Sequence, residues 1–65
     1  MRLVVNGELQ DVPAATLAEA LQSLDFAEAT VATALNGEFV PARARESAML
    51  KDGDRIEILA PRQGG

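Results

Sequence analysis

The chain opens on an alternation. Met1, Leu3 and Val5 fall on one face and Arg2, Val4 and Asn6 on the other, the period of a strand with one buried side. Asn6-Gly7 follows, the strongest short hairpin signal. The return segment Glu8-Leu9-Gln10-Asp11-Val12 alternates poorly and ends at Pro13, which suits an edge strand. Thr16-Leu17-Ala18-Glu19 then has the form of a capping box, in which the Thr16 hydroxyl accepts from the amide three residues on and Glu19 reaches back to the cap amide. Leu17, Ala20, Leu21 and Leu24 recur at helical spacing, so a helix of about two turns presents one apolar stripe to a sheet.

After Asp25 the segment 26–30 has no period and reads as a loop, with Phe26 placed to fold back as a plug at the helix end. Val31-Ala32-Thr33-Ala34-Leu35 reads as a third strand, and Asn36-Gly37 turns it into Glu38-Phe39-Val40, where Pro41 stops the ladder. From Ala42 to Ala48 a solvated loop is preferred to a helical turn, and Arg43 with Arg45 is too small a cluster for a nucleic-acid site. Asp52-Gly53-Asp54 is a turn; its two carboxylates lack the further oxygen ligands a metal would need, so no metal site is expected. The last strand, Arg55-Ile56-Glu57-Ile58-Leu59, points Ile56 and Ile58 to the core and Arg55, Glu57 and Leu59 away from it.

The order is therefore strand, strand, helix, strand, strand, strand, without an internal repeat or low-complexity segment. A helix with one apolar stripe and a sheet with one apolar face bury each other, and right-handed crossovers bring the first and last strands side by side, parallel, at the centre. The expected fold is α+β, a β-grasp or ubiquitin-like arrangement: a mixed sheet of about five strands packed on one main helix. Residues 1–60 form the domain. Residues 61–65 form a flexible tail that leaves the central last strand at Leu59 or Ala60, and Pro61 prevents it from continuing the ladder.

Composition narrows the function. A chain of 65 residues is one small domain that buries only about 60% of its unfolded surface, too little to enclose a deep active site. Ten acidic against six basic residues give a net charge of −4, which repels phosphate backbones and anionic lipid alike, so neither nucleic acid nor a membrane is an expected partner. No run is long enough to span a bilayer, and the first six residues turn polar too quickly for a signal peptide, which makes a cytoplasmic location the expectation. There is no Cys and no His, so the usual nucleophile, general base and zinc ligands are missing, and the chain is not expected to be an enzyme.

What remains is the tail, Pro61-Arg62-Gln63-Gly64-Gly65. Gly64 and Gly65 have no Cβ, so they pass a constriction that a larger residue would block. Five extended residues span at most about 17 Å, enough to reach a partner's active site from a body left outside. The chain resembles the ThiS family of sulfur carriers in thiamine biosynthesis, through Ala34-Leu35-Asn36-Gly37-Glu38-Phe39-Val40-Pro41, Leu50-Lys51-Asp52-Gly53-Asp54-Arg55-Ile56-Glu57-Ile58 and the terminal Gln63-Gly64-Gly65. Ala42 departs from the family, whose members often have Arg directly after the Val-Pro pair, so no role is carried onto Arg43 or Arg45.

The resemblance implies that the Gly65 carboxylate is adenylated by a ThiF-type activating enzyme using ATP and magnesium. It then receives sulfur from a donor such as a cysteine desulfurase relay and delivers it, as a thiocarboxylate, to a ThiG-type thiazole synthase. The carrier itself binds no cofactor, and Gly64, Gln63 and Arg62 thread into the partner. For docking, the sheet face opposite the helix is expected to contribute Val4 and Leu59, with Arg55 and Glu57 at the rim. Three alternatives are a carrier for molybdopterin or tRNA thiolation, a ubiquitin-like protein modifier, and a β-grasp binding module with no terminal chemistry.

Overall fold

The computed structural model describes residues 1–26 and 30–60. Its elements are β1 (Arg2–Val5), β2 (Glu8–Asp11), α1 (Leu17–Ser23), β3 (Ala32–Leu35), β4 (Glu38–Val40), a 3-10 helix (Ala42–Ser47) and β5 (Arg55–Leu59). One five-stranded sheet has the order β2-β1-β5-β3-β4, with β1 and β5 parallel at its centre and the remaining neighbours antiparallel. This is the expected β-grasp topology, with β2 at an edge.

Both hairpins turn through an Asn-Gly pair with positive φ at each residue: +50° and +85° at Asn6 and Gly7, +51° and +87° at Asn36 and Gly37. That is the signature of the turn whose twist matches the flanking strands. Leu3 and Val5 from β1 and Ile56 and Ile58 from β5 meet Leu17, Ala20 and Leu21 of α1, with Val12 and Leu50 closing the core; Met1 lies exposed at its rim. Leu3, Leu17 and Ile56 are fully buried, and burial of such a side chain contributes about 1.5–3 kcal/mol.

The helix begins as expected, with the Thr16 hydroxyl accepting from the Glu19 amide at 3.2 Å. The Glu19 carboxylate, however, accepts from the Ala15 N–H at 2.8 Å, one residue before the cap. An antiparallel bridge between Thr16 and Met49 holds the entering chain extended, and the N–H it leaves facing Glu19 is that of Ala15. At the other end Asp25 adopts φ +70°, its N–H donates to the Gln22 carbonyl, and the Phe26 N–H donates to that of Leu21. The pair forms a Schellman cap without glycine, and half-buried Phe26 packs on the core as the expected plug. Of the loop expected over 26–30, residues 27–29 lie outside the described residues.

The segment after Pro41 corrects the sequence expectation: Ala42–Ser47 is a 3-10 helix and not a solvated loop. Its anchor is Arg45, whose Nε donates to Thr33 Oγ1 at 3.0 Å and whose terminal nitrogen donates to the Val31 carbonyl at 2.7 Å. Thr33 is itself buried and donates to the Val40 carbonyl, so the guanidinium completes a polar chain under the β3–β4 hairpin. An isolated turn this short has no periodicity to detect, and a partner 12 residues away supplies its stability.

The Asp52–Asp54 turn forms as expected, yet its second carboxylate is buried. Burial pushes the Asp54 carboxyl up, and hydrogen bonds donated by Asn36 Nδ2 and the Lys51 main chain, with the nearby Lys51 charge, outweigh that and hold it below the ordinary value. A carboxyl lowered by folding contributes stability that is complete above its unfolded value of 3.8 and is lost as pH falls through the lower folded value. Asp54→Asn is therefore expected to lower the unfolding midpoint at neutral pH and to flatten its decline below about pH 4, as read from denaturant titrations across that range. Thr16→Ala removes the helix cap and is expected to cost about 1 kcal/mol, or some 4–8 °C in Tm by thermal scan.

Candidate functional site

The chain emerges from the middle of the sheet. β5 is paired with β1 at Arg55 and Ile56 and with β3 from Ile56 to Leu59, its last residue, which pairs with Ala32. Ala60 is the last described residue; Arg62, Gln63, Gly64 and Gly65, the residues expected to carry the chemistry, lie outside the described residues, as does Pro61.

Two contacts hold the end of β5 from its β1 side. The Asn6 N–H donates to the Ile56 carbonyl at 2.9 Å. Beyond it the Asn6 side chain accepts from the Ile58 N–H at 2.8 Å and donates to the Ile58 carbonyl at 3.2 Å. The start of β5 is held in the same manner from the β3 side, where the Asn36 side chain accepts from the Arg55 N–H at 2.9 Å and donates to Asp54 at 3.0 Å.

The face opposite α1 carries the expected outward residues of β5, Arg55, Glu57 and Leu59, all exposed. Val4 lies on this face too, half-buried, but its partner across the parallel ladder is Arg55. Leu59 is four residues further along β5, about 13 Å at strand rise. Val4 is instead flanked by Leu9 of β2, with which it is in register. The two apolar residues expected to act together thus belong to separate patches, with Arg55 and Glu57 between them.

The larger patch surrounds Leu59. Ala34 is in register with Phe39 on one side and Glu57 on the other, and Ala32 with Leu59. Small side chains on β3 between large ones on its neighbours leave a shallow groove, floored by Ala32 and Ala34, walled by Phe39 and Leu59, and ending at Glu57 and Asn6. A second hollow shares Ala32 and Leu59 and continues past them to Val31, Thr30 and Ala60, toward the point where the chain leaves the sheet. Phe39 and Leu59 are 70% and 71% exposed, the highest values among the large apolar side chains of the described residues. Sequence reasoning did not single out Phe39. The signal lay in the second hairpin, where Val40 paired with buried Thr33 forces Phe39 onto the outer face.

Among the described residues no group of three or more acidic, His or Cys side chains stands together to hold a metal, and every buried side-chain polar atom is already hydrogen-bonded.

Comparison with known proteins was made on the whole chain. The family model described as the ThiS family matches residues 3–65. No curated protein matches. Among solved structures the chain is similar to the crystal structure of a thiamine biosynthesis protein (ThiS) from Geobacter metallireducens, at 38% identity over all of both chains and a TM-score of 0.82. It is also similar to an NMR solution structure of a thiamine biosynthesis protein from the same organism, at 36% identity over all of this chain and 88% of the other, with a TM-score of 0.80.

Proposed function

The chain belongs to the ThiS family, and from that premise we propose that it is a sulfur carrier of thiamine biosynthesis whose reactive group is the Gly65 carboxylate. The observation that carries the reading is the family match, which runs through to Gly65 on a fold whose central strand leads into residues 61–65. The lack of Cys and His in the chain agrees with a role as cosubstrate rather than catalyst.

The chemistry follows from the weakness of a carboxylate as an electrophile. Its negative charge repels a nucleophile, and oxide is not a viable leaving group. A ThiF-type enzyme, using ATP and magnesium, would join the Gly65 carboxylate to the α-phosphate and release pyrophosphate. A persulfide sulfur supplied by a cysteine desulfurase relay then attacks the acyl carbon and expels AMP, and a thiol reductant cleaves the acyl disulfide so formed, leaving the sulfur on the Gly65 carbonyl and oxidising the thiol to a disulfide. The resulting thiocarboxylate is consumed by a ThiG-type thiazole synthase. With no Cys in the carrier, no side-chain thiol within it competes for the sulfur. Gly64, Gln63 and Arg62 are the residues that would thread into each partner, Gly64 without a Cβ to obstruct a narrow channel.

The docking centre in this reading is the groove of Phe39 and Leu59, with Glu57 at its border; Val4 is peripheral, beside Leu9 and Arg55. An exposed aromatic and an exposed leucine around a small-residue floor, bordered by charge, have the composition of an interface core.

Incubation with a ThiF-type enzyme, ATP, magnesium and a sulfur donor is expected to produce, in the intact mass, the gain of one oxygen-to-sulfur exchange. No such gain would sink the reading. A lysine-linked adduct on another protein would instead make the chain a modifier, and transfer to molybdopterin or tRNA but not to thiazole would place it in a sister pathway. Gly65→Ala is expected to leave Tm nearly unchanged while suppressing the thiocarboxylate, measured on the same samples. Phe39→Ala and Leu59→Ala should each shift stability by no more than about 0.5 kcal/mol yet weaken binding to the activating enzyme by about tenfold, read by calorimetry.

A further inference from the structure

The parallel ladder between β1 and β5 stops three residues short of Leu59, the last residue of β5. Its last pair is Val5 with Ile56, and the last main-chain bond is from the Asn6 N–H to the Ile56 carbonyl. At Asn6 the backbone takes φ +50° and turns away into β2. Ile58, the next residue of β5 whose main-chain groups face that side, is met by a side chain instead. A carboxamide carries the same acceptor and donor as a peptide group, so one Asn satisfies both the N–H and the carbonyl of Ile58.

We infer that Asn6 is a positioning residue for the proposed reaction: its amide stands in for the missing next residue of β1 and fixes where the chain departs toward Gly65. This role rests on the sulfur-carrier reading. Ile58 is tied to Asn6 on one side of β5 and Leu59 is paired with Ala32 on the other, so the two sides are secured three and two residues before Pro61. Without the amide, β5 beyond Ile56 is held from β3 alone, and the end of the strand can fray. Each released residue adds up to about 3.4 Å of reach. The terminal carboxylate then samples a larger volume, and its effective concentration at a fixed active site falls. Asn6 borders only one end of the docking groove, whose walls, Phe39 and Leu59, are set by β3, β4 and β5 pairs, so the effect should fall on the chemical step more than on binding.

Asn6→Gly separates this role from turn formation, because glycine keeps the left-handed backbone and deletes only the amide. In the free variant the Ile58 amide is expected to exchange about tenfold faster while Ile56 is unaffected, by NMR hydrogen exchange. With a ThiF-type enzyme, ATP–pyrophosphate exchange at saturating carrier should fall about three- to tenfold with KM within about twofold. Asn6→Asp keeps the acceptor and loses the donor, so it should fall between the glycine variant and the wild type on both readouts. Unchanged Ile58 exchange in Asn6→Gly, or faster exchange with unchanged kcat, would overturn the role while wild-type activity upheld the carrier. A wild-type chain that no activating enzyme accepts would overturn the carrier reading itself, and this role with it.

Discussion

Everything in this domain depends on one parallel pairing, that of β1 with β5. Val4 lies beside Arg55 and Val5 beside Ile56, so the two ends of the chain lock together at the centre of the sheet. The contact closes a loop of about fifty residues, which is expensive in chain entropy, and it is compensated only because the same step completes the core. Leu3, Val5, Ile56 and Ile58 become one continuous apolar surface, and α1 covers it. β2 and the β3–β4 hairpin pair antiparallel on the outer sides of this central pair.

The pairing is also what makes the end of the chain useful. A terminal segment that follows an edge strand could slide or exchange partners; one that follows a central strand starts from a fixed point. Asn6 and Asn36 strengthen this. Each is the first residue of a hairpin turn, and each turns its side chain onto β5, one near its end and one at its start. The residue type that tolerates positive φ also carries the amide that mimics a peptide, so a turn requirement and a clamp are met by one side chain.

A carrier of this kind separates labour. The domain holds no metal-ligating cluster among its described residues, and its polar groups are spent on structure: Asp54 on the turn before β5, and Arg45 and Thr33 beneath the second hairpin. What it presents outward is a groove between Phe39 and Leu59 and, beyond Ala60, the segment that family membership associates with the chemistry. In the proposed reading, recognition belongs to the sheet face and reactivity to a partner's active site.

Local pattern alone determined most of the architecture. The two Asn-Gly turns, the Thr16 cap, the helical stripe from Leu17 to Leu24 and the alternation in β5 are encoded within a few residues of where they act. Handedness and burial then allowed only one arrangement of strands. Tertiary structure decided whatever required a partner distant in sequence. Arg45 draws 42–47 into a 3-10 helix because Thr33 and the Val31 carbonyl wait beneath it, and Asp54 is buried because Asn36 caps its charge. Register, invisible to periodicity, parted Val4 from Leu59 across β1 and β5 and grouped Leu59 with Phe39 across β3. Alternation states which face a side chain occupies; only the pairing of strands states which neighbours it has there, because each strand can slide along the next until the core fixes it.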